Sequence, residues 1–138
     1  MTKLGLHLFV KDMKESLAFY RRLGISFPDG SDAQPHVAVT LAGDFDLSFG
    51  THELTRAYDP AFRPPAGGSP NSLQVALGSR AEVDRLYGEL TGAGHRSHLA
   101  PHDAFWGARY AEVDDPDGNV VGFQSPVDPA KRSRGPNL

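Results

Sequence analysis

Residues 4–24, LGLHLFVKDMKESLAFYRRLG, and residues 72–94, SLQVALGSRAEVDRLYGELTGAG, carry one pattern twice, and this repetition decides the fold. In the first copy Leu4, Leu6, Leu8 and Val10 alternate with Gly5, His7 and Phe9, the period-2 signal of a strand with one buried face. Asp12, with Glu15 three residues later, resembles a capping box. Met13, Leu17 and Tyr20 then recur at helical spacing, Leu23 extends the apolar side, and Gly24 is placed to end the helix. In the second copy Leu73, Val75 and Leu77 alternate with Ser72, Gln74 and Ala76. Ser79 and Glu82 form a capping box in its S-x-x-E form, Val83, Leu86, Tyr87 and Leu90 mark the helix, and Gly94 stops it.

Three strands are expected after each helix. The first set is 25–27, 36–41 and 45–49, with Gly43-Asp44 as a tight turn. The second is 96–100, 108–113 and 119–124, the last two joined by Asp114-Asp115-Pro116-Asp117-Gly118. The expected fold class is therefore α+β: two tandem βαβββ modules, residues 1–50 and 72–125, forming a half-open cup-shaped sheet. Residues 51–71, with Pro60, Pro64, Pro65, Gly67, Gly68 and Pro70, read as a linker or arm, and 126–138 as a disordered tail. A half-open cup leaves strand edges unpaired, so a homodimer with a shared or swapped arm is expected.

The 15 glycines and 11 prolines are a fifth of the 138 residues, against about 12% on average, which suits a turn-rich chain of short strands. Fourteen Lys+Arg against seventeen Asp+Glu give a net charge of −3. Such a balance argues against nucleic-acid or anionic-membrane partners, which need a basic surplus. With no cysteine, disulfides, thiolate-bound zinc and thiol catalysis are excluded. No long apolar run or signal peptide opens the chain, so a cytoplasmic location is expected. P-loop, GxGxxG and nucleophile-elbow motifs are missing.

Strand parity divides the side chains. The uniformly apolar sets face the helices, and the opposite, concave face holds Gly5, His7, Phe9, His36, Ala38, Thr40, Asp46, Ser48, Ser72, Gln74, Ala76, Tyr110, Glu112, Val120, Gly122 and Gln124. Arg109 falls on the helix side and is expected to be structural or in an ion pair. Trp106, the only tryptophan, sits between Phe105 and Gly107, where an indole either presents its face to a planar guest or packs against the arm or partner. His36 supplies a second plane, and Phe9, Tyr58 and Tyr110 are further walls. Asp46, Ser48 and Glu112 offer hydrogen bonds. Gly5 and Gly122 either open the floor to a bulky guest or allow close strand approach. His7, Asp46 and Glu112 form a candidate displaced metal site, weighed against His7 as a lining histidine bonded to a carboxylate. His95, His98 and His102 are expected to splay from a strand and loop into solvent rather than gather on a ligand.

Phe19-Tyr20-x-x-Leu23-Gly24 together with Trp106-Gly107 and Asp115-Pro116-Asp117-Gly118-Asn119 resembles the vicinal oxygen chelate (glyoxalase/bleomycin-resistance/dioxygenase) superfamily over roughly residues 3–125. Several stretches look like those of the mitomycin-binding self-resistance proteins: Pro35-His36, Tyr58-Asp59-Pro60, Gly67-Gly68, Trp106-Gly107-x-Arg109-Tyr110-Ala111 and Asp115 to Val121. The superfamily's metal-dependent members place His and Glu ligands at positions matching Gly5, Asp46, Ser72 and Gly122 here. Only Asp46 among these is a good donor, so no metal and no cofactor is expected. The resemblance implies a homodimer whose His36 and Trp106 clamp a planar antitumour antibiotic (quinone or polycyclic aromatic chromophore), sequestering this small molecule without chemical change. Mitomycin-like, bleomycin-like, anthraquinone and enediyne guests all suit such a cup. The alternative is a metal-dependent or metal-independent enzyme of the same fold, a lyase, isomerase or dioxygenase, acting on a natural product.

Overall fold

The computed structural model describes residues 2–66 and 70–137; Gly67 and Gly68 of the resemblance lie outside them. The chain divides into two compact units, Met1–Ala66 and Gly67–Leu138.

The first unit holds β1 (Gly5–Val10), α1 (Met13–Arg22), β2 (His36–Leu41), β3 (Phe45–Thr51) and α2 (His52–Tyr58). Asp12 caps α1, its carboxylate accepting the Glu15 amide at 3.0 Å. The helix stops as its glycine predicts. Gly24 has φ 88°, its N–H donates to Arg21 O, and Ile25 N–H donates to Tyr20 O, the paired bonds of a Schellman ending. The sheet order is β1-β3-β2, with β1 parallel and β2 antiparallel to β3. Gly43 and Asp44, at φ 79° and 62°, turn the hairpin. The α1 side chains Met13, Leu17 and Tyr20 and the strand residues Leu8, Val10, Val37, Leu47 and Phe49 are buried as the core.

Two expectations fail in this unit. Residues 25–27 form no strand, so the first module is βαββ. Ile25 N–H is already used to close α1, Pro28 has no N–H to give a ladder, and the chain enters a 3₁₀ turn at Ser31–Ala33 whose Ser31 hydroxyl donates to Pro28 O. Phe27 contributes through its ring, edge-on to Phe49 at 5.6 Å. The linker begins later than expected, because 52–58 is helical. Thr51 caps α2 by accepting Leu54 N–H at 3.1 Å, and all the prolines of this stretch follow the helix.

The second unit holds β4 (Ser72–Ala76), α3 (Arg80–Gly92), β5 (Ser97–Asp103), β6 (Arg109–Asp114) and β7 (Val120–Gln124), in sheet order β4-β7-β6-β5. Ser79 caps α3 by accepting Glu82 N–H, while the Glu82 carboxylate reaches past the cap residue to Gly78 N–H. Gly94 and His95 close it with the same Schellman bonds, to Thr91 O and Leu90 O. At the 114–118 turn the buried Asp115 carboxylate accepts Asp117 N–H, Asn119 N–H and the Asn119 amide. Val83, Leu86 and Leu90 of α3 are buried with Ala111, Val113, Val121 and Phe123. β5 runs longer than expected through Pro101, which an edge strand with register shifts accommodates.

The expected tail is instead strapped to its own unit. A 3₁₀ turn at Pro129–Lys131 follows Asp128, whose N–H donates to Gly107 O at 3.0 Å, and Ser133 N–H donates to Phe105 O at 2.9 Å. Among the described residues, no helix is long and apolar enough to cross a membrane.

Candidate functional site

The register aligns the expected concave residues into rows, which Gly50 and His102 join. In the first unit these are Gly5–Asp46–Thr40, His7–Ser48–Ala38 and Phe9–Gly50–His36. His7 Nδ1 is 2.7 Å from Ser48 Oγ, and its ring stacks on His36 at 5.8 Å and 15°. The carboxylate partner weighed for His7 is thus a hydroxyl. Phe9 stands edge-on to His7 at 5.0 Å and meets Phe62 at 5.1 Å, which in turn meets His52 of α2 at 5.4 Å. His7 Nε2 is buried without a hydrogen-bond partner among the described residues. It lies over Gly50, where a Cβ would stand 2.8 Å from it. Burial, with the neighbouring His36 adding to it, holds the His7 pKa below its ordinary value and favours the neutral imidazole.

Asp46 is engaged elsewhere. Its carboxylate accepts the Thr40 hydroxyl at 2.7 Å and pairs with Lys3 at 3.4 Å, and its pKa is lowered, first by the Thr40 bond. Tyr58, expected as a wall, ends α2 and is 63% exposed.

In the second unit the rows are Gln74–Gly122–Glu112 and Ala76–Gln124–Tyr110–His102. One polar chain crosses the first row. Gln74 Nε2 donates to Ser72 Oγ at 2.9 Å and to Tyr110 Oη at 3.1 Å, and Tyr110 Oη donates to Glu112 Oε2 at 3.1 Å. Gly122 makes this possible: a Cβ there would strike Tyr110 Oη and the Gln74 amide. The space over Gly122 is filled by these two side chains, so it is neither an open floor nor a close approach of strands. At Gly5, by contrast, a Cβ would come within 2.9 Å of the Asp46 carbonyl on the paired strand.

Trp106 is half-buried in the loop before β6. Its Nε1 donates to Gln124 Oε1 at 2.9 Å, and its ring meets Tyr110 edge-on at 5.5 Å and Phe105 at 5.2 Å. Gly107 at φ 99° turns the backbone under the indole, and Arg132 Nε of the strap donates to Trp106 O at 3.3 Å. Sequence reasoning placed Trp106 beside the concave strand but missed Gln124 as its anchor and the strap behind it. Only the Trp106-Gly107 pair hinted at a constrained loop. Arg109 lies in the ion pairs expected of it, with Asp84 at 2.9 Å and Asp103 at 3.3 Å. Residues His36 and Trp106 belong to separate units, each with its own aromatic neighbours.

The superfamily's metal positions do not fit a divalent ion. Gly5 and Gly122 have no donor, Asp46 is bound by Thr40 and Lys3, and Ser72 Oγ accepts from Gln74. Among the described residues, no group of three or more His, Asp or Glu is disposed to hold a metal. The residues of the displaced set have separate partners: His7 has Ser48, Asp46 has Thr40, and Glu112 has Tyr110. His98 pairs with Asp114, and His102 with the Ala100 carbonyl.

The comparisons agree with this fold. The structure from Burkholderia phytofirmans PsJN described as a glyoxalase/bleomycin resistance protein/dioxygenase family enzyme is 20% identical. It aligns over 88% of this chain and 95% of its own, with a TM-score of 0.73. A glyoxalase/bleomycin resistance protein/dioxygenase from Nocardioides is 23% identical over 99% and 90% of the two chains, with a TM-score of 0.71. A lactoylglutathione lyase from Agrobacterium tumefaciens is 21% identical over 90% and 92%, with a TM-score of 0.62. No curated protein matches the chain. The sequence profile of the Glyoxalase/Bleomycin resistance protein/Dioxygenase superfamily matches residues 4–123. With two strand–helix–strand modules under that profile, the chain belongs to the glyoxalase/bleomycin resistance protein/dioxygenase superfamily.

Proposed function

We propose that this protein sequesters a planar aromatic antibiotic without transforming it, as a cytoplasmic, homodimeric self-resistance protein. The observation that carries the reading is the half-buried Trp106, fixed by Gln124 and set edge-on to Tyr110 beside a row of hydrogen-bonding side chains. A fixed indole gives a flat guest apolar burial and offset stacking without losing rotamer freedom on binding. The adjacent polar row suits a chromophore bearing hydroxyl, carbonyl or amine groups better than a plain hydrocarbon. Sequestration asks for affinity and stoichiometric supply rather than turnover, which is consistent with metal positions lacking donors.

Quenching of Trp106 fluorescence by quinone and anthraquinone chromophores, with recovery of the ligand unchanged, tests the reading. Trp106→Ala, followed by a ligand-based signal, is expected to weaken binding at least about tenfold, about 1.4 kcal/mol. Full affinity in that variant overturns the stacking role. His36→Ala in the other unit reports separately whether its imidazole contacts the guest.

A second reading, an enzyme acting on the guest, rests on His7. A neutral imidazole with Nδ1 against Ser48 and a buried Nε2 unpartnered among the described residues has the makings of a general base. Turnover of the ligand that disappears in His7→Ala would favour it over sequestration.

A further inference from the structure

We propose that the guest of the Trp106 face carries a cationic amine, which Glu112 receives beside the aromatic platform. This rests on the binding role proposed above and specifies the chemical class of its ligand.

The three carboxylates of β5 and β6 are unequal. Asp103 pairs with Arg80 and Arg109. Asp114 pairs with His98 at 3.1 Å and Arg96 at 4.0 Å. Glu112 alone of the three has a phenol for a partner, the Tyr110 hydroxyl, and no cation pairs with it among the described residues. It is half-buried, so its charge is partly screened from water yet not neutralised.

The hydrogen-bond directions leave one Glu112 oxygen open to a further donor. Tyr110 receives a proton from Gln74 and gives its own to Glu112 Oε2, while Glu112 Oε1 accepts no bond from the described residues. Burial, with the Glu112 charge adding to it, raises the Tyr110 pKa, so the phenol stays protonated and its donation persists at neutral pH. Tyr110 also joins the carboxylate to the platform, since its ring meets both Trp106 at 5.5 Å and His102 at 6.1 Å. A carboxylate oxygen beside an aromatic platform recognises an ammonium by a charge-assisted hydrogen bond that a neutral quinone lacks.

The test titrates Trp106 fluorescence with an anthraquinone bearing an aminoethyl side chain and with its N-acetyl derivative, equal in aromatic area but uncharged. The amine is expected to bind about tenfold more tightly, and the preference to vanish in Glu112→Gln, whose amide oxygen still accepts from Tyr110. Should Glu112→Gln fail to fold, the wild-type preference is measured from about 20 to about 500 mM salt, where screening is expected to shrink it. Equal affinity of the two compounds, or a preference that persists in Glu112→Gln or at high salt, overturns the cation proposal while stacking on Trp106 stands. Quenching by neither compound overturns the platform and this proposal with it.

Discussion

Trp106 Nε1 donates to Gln124 Oε1 at 2.9 Å, tying the single tryptophan to the last strand of the second sheet. The bond fixes the indole relative to Tyr110, which lies opposite Gln124 in the register. Gln124→Ala removes this partner and leaves the indole N–H to find water. A loss of about 1 kcal/mol is expected, with greater acrylamide quenching of Trp106. Urea unfolding followed by Trp106 emission measures both, and an unchanged midpoint with unchanged quenching would show that the bond fixes nothing.

Gly122 is the pivot of the polar row. In Gly122→Ala the new methyl meets Tyr110 Oη and the Gln74 amide, so the Ser72–Gln74–Tyr110–Glu112 chain must part. We expect a loss of about 1–3 kcal/mol, typical of overpacking. Adding Tyr110→Phe removes the colliding oxygen and is expected to recover part of it. A double-mutant cycle by chemical denaturation checks the coupling, and strict additivity would refute it.

The His7 site makes stability depend on pH. Burial first, and His36 second, lower the His7 pKa in the folded state. The unfolded chain therefore binds the His7 proton at higher pH than the folded one does. The stabilising contribution is complete above the unfolded value of about 6.5 and is lost as the pH falls through that value towards the lowered folded one. Melting temperatures are expected to drop more steeply from neutral to mildly acidic pH in the wild type than in His7→Leu. Parallel profiles would assign the pH dependence to other groups.

The strap holds the platform from behind. Bonds from Asp128, Arg132 and Ser133 reach the backbone oxygens of Gly107, Trp106 and Phe105. Ending the chain at Pro126 deletes all three, each worth about 1 kcal/mol. Time-resolved anisotropy is expected to show faster Trp106 motion with the far-UV circular dichroism retained. Anisotropy equal to that of the full chain would mean that the loop is rigid on its own.

Helix boundaries were legible because their signals are local. Asp12 and Ser79 announce the starts, and Gly24 and Gly94 adopt the positive φ that ends each helix. Ile25–Phe27 misled because three apolar residues suit a strand or a ring donated to the core equally well. The choice fell to the Schellman bond at Ile25 and to Pro28. Helix α2 was hidden by composition, as the prolines of 60–70 coloured a longer stretch than they occupy.

The sequence by itself determined the α+β class, the doubled module, both long helices and which face is polar in every strand but β5. Hydrophobic period, caps and turn glycines act within a few residues and need no distant partner. Only tertiary structure decided what the polar face does. Register brings Gly122 between Gln74 and Glu112, and Gln124 opposite Tyr110. It makes Gly122 a covered crossing rather than an open floor, His7 a partner of Ser48, and residues 126–135 a strap. These pairings join residues up to 48 positions apart, and no local signal encodes which side chain fills the space that a glycine leaves.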